Sequence, residues 1–151
     1  MRAQPGGGAS LRLRVPMEAR FGRLTRERVA RFLAGHCISG ADAEEFLTAV
    51  SEAVGNAIEH SGTHGSVEVS CRLSGQRLVA TVVDDGVGFP SDALDDPQLP
   101  DGMAERGRGL PIMRRFTDHF EIRSVQGKGT SVILERTIRR PAESEDDDIA
   151  S

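Results

Sequence analysis

The sequence predicts an α/β fold of the α+β type. It is a two-layer sandwich in which a mixed, largely antiparallel sheet carries its helices on one face. Three observations lead to this prediction. Strand-like runs, some of them alternating between polar and apolar residues, occur in pairs around short turns, which is typical of β-hairpins. Two segments ahead of the first pair have apolar residues at helical spacing instead. Since hairpins dominate the order β-α-α-β-β-loop-α-β-β, few strand pairs should be parallel.

The chain is expected to begin with a strand and a helix. Polar and apolar residues alternate over residues 10–15, which indicates a strand with one buried face. Helical spacing predicts a helix over residues 24–34. Gly35 is its expected stop, because glycine often ends a helix. Residues 1–9 are rich in glycine and are expected to be a disordered N-terminus.

A second, longer helix is predicted over residues 42–60, where apolar residues recur on one helical face. Asp42 is expected to be the N-cap of this helix. Glu45, three residues later, would complete a capping-box-like pair. Glu52 and Asn56 are four positions apart, so they share one face of the predicted helix.

Two hairpins are predicted in the second half of the chain. Polar and apolar residues alternate over residues 67–73, and after a Ser-Gly-Gln turn residues 78–83 are expected to return the chain as a second strand. Residues 120–124 and 130–138 flank the sequence Gln-Gly-Lys-Gly in the same way. Gly-containing turns between alternating runs are the usual signal of a hairpin, so four strands are expected here.

A long irregular loop separates the two hairpins. Residues 90–106 have no periodicity and contain three prolines. A loop of this length in a compact domain is usually functional, so we predict a lid. A short helix should follow at residues 110–116. Residues 141–151 are acidic and are expected to be a disordered tail, which leaves one domain over residues 10–140.

Composition and charge exclude several classes of protein. The formal net charge is −4 at pH 7, and five of the 23 acidic residues lie in the tail, so the domain itself is close to neutral. No large basic field remains to bind nucleic acid directly. No apolar segment is long enough to span a membrane, and the N-terminus has no signal-peptide core. Two cysteines imply no disulfide framework. A cytoplasmic protein is therefore expected.

The first candidate site is the pair Glu52 and Asn56. Magnesium prefers oxygen ligands, and an Asn carbonyl supplies one without adding negative charge near phosphates. A carboxylate one turn earlier can accept a proton from an attacking hydroxyl. Taken alone, the pair also fits two solvated polar residues on an amphipathic helix.

The second candidate site follows the predicted strand 78–83. Asp84 stands at the strand end, where a carboxylate can accept a hydrogen bond from an exocyclic amine such as N6 of adenine. Gly86 and Gly88 have no side chains and therefore let the backbone approach a base closely. Taken alone, this segment also fits a plain Asp-Gly turn.

The third candidate site is a glycine-rich helix start. Gly107 and Gly109 precede the helix that begins at Leu110, and free N–H groups at a helix start favour phosphate. Arg106 and Arg108 add positive charge. The sequence contains no P-loop, Rossmann fingerprint or protein-kinase signature. In this order and spacing, the three sites suit a magnesium–nucleotide complex.

These segments resemble the GHKL, or Bergerat-fold, ATP-binding superfamily. Within it they resemble the small anti-sigma-factor serine/threonine kinases of bacterial sporulation and stress switches. The resemblance extends over residues 10–138. It implies that Glu52 is the general base, that Asn56 is the Mg²⁺ ligand, and that Asp84 binds adenine.

The same resemblance assigns the remaining site residues. The segment from Gly107 to Leu110 is similar to the second glycine box of the family, at the phosphates. Arg106 and Arg108 both stay candidates for the lid arginine that reaches the phosphates. Thr130, after Gly127-Lys128-Gly129, is similar to the threonine that helps to hold adenine.

The family resemblance implies an ATP-dependent serine/threonine kinase that uses Mg²⁺. It would sequester a sigma factor and phosphorylate a small anti-anti-sigma protein, and it would act as a homodimer. Two alternatives stay open: a nucleotide-dependent regulatory binding module without significant kinase activity, and a histidine-kinase catalytic domain. The presence of Glu52 favours catalysis, because a pure binding module needs no base.

Overall fold

A computed structural model of the chain describes residues 8–60, 65–86, 110–125 and 127–139. The predicted lid at 90–106 and the acidic tail lie outside the described residues. The elements in chain order are β1 (Ala9–Pro16), α1 (Ala19–Gly35), α2 (Gly40–His60), β2 (Ser66–Ser74), β3 (Arg77–Asp84), the short helix α3 (110–115), β4 (His119–Val125) and β5 (Gly129–Thr137). This order confirms the predicted one.

The five strands form a single sheet in the order β1-β2-β3-β5-β4. Every neighbouring pair among these described strands is antiparallel, so the predicted largely antiparallel sheet is confirmed. The central strands β3 and β5 are aligned so that Asp84, the last residue of β3, pairs with Thr130 near the start of β5. This register brings two sequence-predicted site residues to the same end of the two central strands.

The helices cover one face of the sheet. Helix α2 contacts β2, β3 and β5, while α1 packs against α2 and β1. Alternate residues of the strands are buried beneath them, as the period of two requires. The largest fully buried side chains are Phe46, Leu33, Leu78, Met113, Leu134 and Ile138. Neither described helix α1 nor α2 is long and apolar enough to cross a membrane.

The two cysteines are both free thiols, as the sequence indicated. Cys71 lies in the core beneath the helices, and burial raises the pKa of its thiol to about 12. The thiol therefore stays protonated at neutral pH and behaves as a small apolar side chain.

Helix α1 begins at Ala19, five residues earlier than predicted. The predicted start was wrong because the beginning of the helix, residues 19–25, is largely polar in sequence yet packs against the core. Phe21 packs on the core, and Thr25 is buried. The Thr25 hydroxyl donates a hydrogen bond to the Phe21 carbonyl at 2.8 Å. A threonine satisfied within its own helix can be buried without an external partner.

The predicted N-cap role of Asp42 is wrong. Helix α2 begins at Gly40, and Asp42 lies inside its first turn. Its carboxylate accepts hydrogen bonds from the Arg136 side chain at 2.9 and 3.1 Å and from the Arg139 N–H at 2.7 Å. Arg136 also reaches Glu45 at 3.2 Å. The two acidic residues therefore tie α2 to the end of β5.

Helix α1 ends at Gly35, as predicted, but the mechanism differs. The left-handed residue is Cys37, with φ of 61°. The Cys37 N–H donates to the Ala34 carbonyl at 3.1 Å, and the Ile38 N–H donates to the Leu33 carbonyl at 3.0 Å. This pattern is a Schellman motif with Cys37 at the position that glycine usually occupies.

Candidate functional site

A pocket lies between α2, α3 and the end of the sheet at which β3 ends and β5 begins. Seven of its ten lining residues are apolar, and the other three carry an amide, a carboxylate and a hydroxyl. The lining residues are Ala53, Asn56, Ala57, Val82, Asp84, Leu110, Met113, Ile122, Thr130 and Val132. An apolar pocket with a few convergent polar groups suits a flat aromatic ligand that has a polar edge.

Four residues predicted from separate sequence segments line this one pocket. Asn56 comes from α2, Asp84 from β3, Leu110 from α3 and Thr130 from β5. No two of them belong to the same element, so the fold is what brings them together.

Asp84 is fixed in orientation at the end of β3. Its side chain is buried, with 6% of the residue exposed. Its Oδ1 atom accepts a hydrogen bond from the Gly86 N–H at 2.9 Å. A hydrogen bond of this kind, from the backbone two residues later to an Asp side chain, forms an Asx-turn. It restricts the rotation of the Asp84 carboxylate.

The next residue, Asp85, has a different role. Its Oδ1 atom accepts a hydrogen bond from the Ser66 N–H at 3.0 Å. It thereby ties the end of β3 to the start of β2. Asp85 is absent from the pocket lining, so the two consecutive aspartates serve the site and the sheet separately.

Gly129 sets the close approach of β5 to β3. It has φ of 120°, and a Cβ atom built on it would lie 2.1 Å from the Asp84 carbonyl oxygen. Only glycine fits at such a distance. The family resemblance included Gly129 only in the segment before Thr130 and did not name it as a site residue. Its role is to let Thr130 sit directly beside Asp84.

Ser124 of β4 supports the site from behind the pocket lining, and sequence reasoning missed it. Its hydroxyl oxygen lies 2.9 Å from the Thr130 hydroxyl oxygen, and both residues are 6% exposed. It also donates to the Gly129 carbonyl at 3.3 Å. A signal existed, since Ser124 and Thr130 are equidistant from Gly127 in the predicted hairpin and should therefore pair across the strands.

Glu52 lies one helical turn before Asn56 and is partly buried. The described pocket lining includes Asn56 but does not include Glu52. The other predicted residues, Gly88, Arg106, Gly107, Arg108 and Gly109, lie outside the described residues. Their roles at the phosphates stay predictions.

Comparison with known proteins identifies the family. The histidine kinase-like ATPase domain matches residues 16–136, which is most of the described fold and all of the pocket. The chain belongs to this family. The superfamily resemblance stated from the sequence is thereby confirmed. Use of ATP follows from membership in a family of ATPase and kinase domains.

Two curated relatives that match most of the chain are both named anti-sigma F factor. The anti-sigma F factor of Thermoanaerobacter sp. (strain X514) is 31% identical over 118 residues, which cover 75% of this chain and 82% of the relative. The anti-sigma F factor of Geobacillus kaustophilus (strain HTA426) is 33% identical over 128 residues, covering 80% of this chain and 84% of the relative. Each alignment therefore includes most of this chain and most of the relative.

Solved structures share the fold. The RsbU and RsbW domains of Rv1364c from Mycobacterium tuberculosis align with a TM-score of 0.66 and 22% identity, over 89% of this chain. The aligned part is 34% of that longer chain. The histidine kinase domain from Erythrobacter litoralis EL346 aligns with a TM-score of 0.51 and 21% identity, covering 82% of this chain and 62% of that one.

Proposed function

We propose that this protein is an ATP-dependent serine/threonine kinase that acts as an anti-sigma factor. In this proposal it sequesters a sigma factor and phosphorylates a small anti-anti-sigma protein. The observation that carries the proposal is the convergence of Asn56, Asp84 and Thr130 on one apolar pocket. The name anti-sigma F factor, which belongs to relatives that align over most of this chain, supports the regulatory role.

The pocket is compatible with adenine bound at the end of β3. The apolar lining suits the purine ring, and the buried Asp84 carboxylate suits its exocyclic amine. Asn56, which α2 contributes to the same pocket, would then face the phosphates. Gly107, Gly109 and one of Arg106 or Arg108 would complete the phosphate site.

The proposed reaction is an in-line phosphoryl transfer. The oxygen of a serine or threonine hydroxyl forms a bond to the γ-phosphorus of ATP. The bond between that phosphorus and the β,γ-bridging oxygen breaks, and ADP leaves. Glu52 accepts the hydroxyl proton, which is the role of a general base. Positioning and neutralisation of charge contribute most of the catalysis in such transfers.

The residues present fit a magnesium ion carried by the nucleotide. Mg²⁺ usually takes one or two protein oxygens together with phosphates and water. The Asn56 carboxamide lies in the pocket and offers one such oxygen. When bound, Mg²⁺ would neutralise phosphate charge during transfer.

A second candidate function is a regulatory module that binds nucleotide without turnover. It is favoured by one observation, namely that the printed name of the relatives, anti-sigma F factor, states a regulatory role and no kinase activity. In that case the protein would bind a sigma factor in a nucleotide-dependent way and would transfer no phosphate. The histidine-kinase alternative shares the fold, but the curated relatives named above favour the anti-sigma role.

The variant Glu52→Gln separates these two functions. Partners are captured from the native cell with the purified protein, and radiolabelled ATP is added. The kinase proposal expects labelling of a small captured protein and a loss of about 10²–10⁴-fold in the variant, the usual size of general-base catalysis. ATP binding should persist in the variant. Glu44→Gln, exposed on the same helix, is the matched control.

The opposite result favours the binding module. If wild-type protein captures a sigma factor but never labels any partner, the kinase proposal is wrong. The proposal also includes a homodimer in the cytoplasm, and sedimentation of the purified chain tests the dimer.

A further inference from the structure

Ser124 and Thr130 form a buried hydroxyl pair on the wall of the nucleotide pocket. They are direct partners on β4 and β5. Their oxygens are 2.9 Å apart, and the Ser124 oxygen is 3.3 Å from the Gly129 carbonyl oxygen. Thr130 lines the pocket, whereas Ser124 lies behind it and is absent from the lining. Within the described part of the chain, the contact with Thr130 gives Ser124 a way to influence a ligand in the pocket.

The direction of the hydroxyl protons follows from counting donors. Each hydroxyl has one proton and two lone pairs, and a carbonyl can only accept. If Ser124 donated to Thr130, it would have no proton left for the Gly129 carbonyl. Both contacts are hydrogen bonds only when Thr130 donates to Ser124 and Ser124 donates to Gly129. In that arrangement the Thr130 oxygen offers lone pairs, and no proton, to the pocket.

This direction matters because Asp84 is the neighbour of Thr130. The two residues are paired across β3 and β5, and both line the pocket. A carboxylate is an acceptor, so the pocket wall presents two adjacent acceptors. Such a wall complements a ligand edge that carries two hydrogens on one nitrogen, and it opposes an edge that carries a carbonyl oxygen.

We infer that Ser124 is a specificity-determining positioning residue: it holds the Thr130 proton and thereby makes the pocket select a 6-aminopurine over a 6-oxopurine. The inference deepens the proposed function, since it rests on adenine nucleotide binding in this pocket. Asp84 alone favours the amine, and the hydroxyl pair removes the donor that would otherwise accommodate a carbonyl. Without Ser124, the Thr130 hydroxyl turns and donates into the pocket.

The test compares ADP with inosine diphosphate, which has a 6-oxo group in place of the 6-amino group. Isothermal titration with saturating Mg²⁺ gives the ratio of the two affinities. In Ser124→Ala the preference for ADP should fall by about tenfold, which corresponds to the exchange of roughly one hydrogen bond. Ser131→Ala, next to Thr130 on the other face of β5, should keep the wild-type ratio.

A double-mutant cycle distinguishes the action of Ser124 through the Thr130 hydroxyl, called the relay below, from a general loss of packing. Thr130→Val removes the hydroxyl that Ser124 controls. Ser124→Ala should then cause no further change of the ratio in the Thr130→Val background. Thermal unfolding of each variant reports folding separately. Because the cycle concerns a ratio of affinities, a uniform loss of stability does not imitate it.

The outcomes discriminate between the relay and the proposed function. A fall of the ratio in Ser124→Ala that disappears in the Thr130→Val background supports the relay. An unchanged ratio, or an equal fall in both backgrounds, overturns the relay while ATP binding stands. Equal wild-type affinity for ADP and inosine diphosphate also overturns it. If wild-type protein binds neither nucleotide, the relay and the proposed function are both wrong.

Discussion

Asp84 and Thr130 lie directly opposite each other on the two central strands of the sheet, and both line the candidate nucleotide pocket. The pairing depends on Gly129, where any side chain would collide with the Asp84 carbonyl. The carboxylate is further fixed by the Gly86 N–H. The site is therefore held by backbone geometry on both strands.

The variant Asp84→Asn tests whether this carboxylate reads the base. Asparagine retains the Oδ1 acceptor for the Gly86 N–H but places an amide donor against the amine of adenine. We expect ADP affinity to fall by about 10- to 100-fold, the size of an unpaired buried polar group. Guanine nucleotides should lose much less affinity. Titration with ADP and GDP measures both.

Asp85→Asn is the matched control for that experiment. Its carboxylate contacts the Ser66 N–H and lies outside the pocket lining. Asparagine can still accept this hydrogen bond, so base preference should be unchanged. Identical ADP and GDP affinities in Asp84→Asn and wild type would show that Asp84 does not contact the base.

The variant Asn56→Ala tests the predicted magnesium ligand. Magnesium demands near-octahedral oxygen coordination, so removal of one oxygen should weaken the metal-dependent part of binding. We expect the gain in ATP affinity on adding Mg²⁺ to shrink by about tenfold, or ~1.4 kcal/mol. Affinity without Mg²⁺ is the internal control. A metal dependence equal to that of wild type would remove Asn56 from the metal site.

The contact between Arg136 and Asp42 predicts a pH-dependent stability. Desolvation acts to raise the pKa of Asp42, but hydrogen bonds from the Arg139 N–H and Arg136, with their positive charges, outweigh it. The pKa of this carboxyl therefore lies below its ordinary value of 3.8. A lowered pKa means that the contact stabilises the fold above pH 3.8 and loses this contribution as pH falls below it.

Asp42→Asn should therefore lower the free energy of unfolding by about 1.5–3 kcal/mol at neutral pH, the value of hydrogen bonds to charged groups. The difference from wild type should shrink as pH falls below 3.8. Urea unfolding at several pH values measures it. Glu44→Gln, exposed on the same turn, should stay within about 0.5 kcal/mol of wild type. A difference that is constant with pH would contradict the ion pair.

Element order and helix-on-sheet layering could be predicted because both depend on local periodicity. Residues 66–74 alternate in burial as their sequence alternates in polarity. Residues 77–84 also alternate in burial, although Val83 is exposed and Asp84 is buried. The role of Asp42 could not be predicted, because its partner Arg136 is distant in sequence. A capping pattern and a long-range ion pair use the same residue type, and only the fold decides between them.

Candidate site residues could be named from the sequence where a single side chain is suggestive by itself. Asn56 and Asp84 carry side-chain oxygens at a helix face and a strand end, and both line the pocket. The contribution of Ser124 depends on the register of β4 with β5, and a single serine in an alternating strand carries no such information. Only the position of the turn around Gly127 could have indicated its pairing with Thr130.

The end of α1 gives a stability prediction that shows whether Gly35 or Cys37 is the left-handed residue that ends the helix. Cys37, with φ of 61°, occupies a conformation that costs a residue with a side chain roughly 1–2 kcal/mol. Cys37→Gly should therefore raise the free energy of unfolding by about 1 kcal/mol. Gly35 lies within the helix, and a Cβ there would meet nothing within 4 Å. Gly35→Ala should also stabilise, by about 0.5–1 kcal/mol. If Gly35 were the left-handed stop, Gly35→Ala would destabilise the protein and Cys37→Gly would not help. Chemical denaturation of the two variants therefore decides which residue ends the helix.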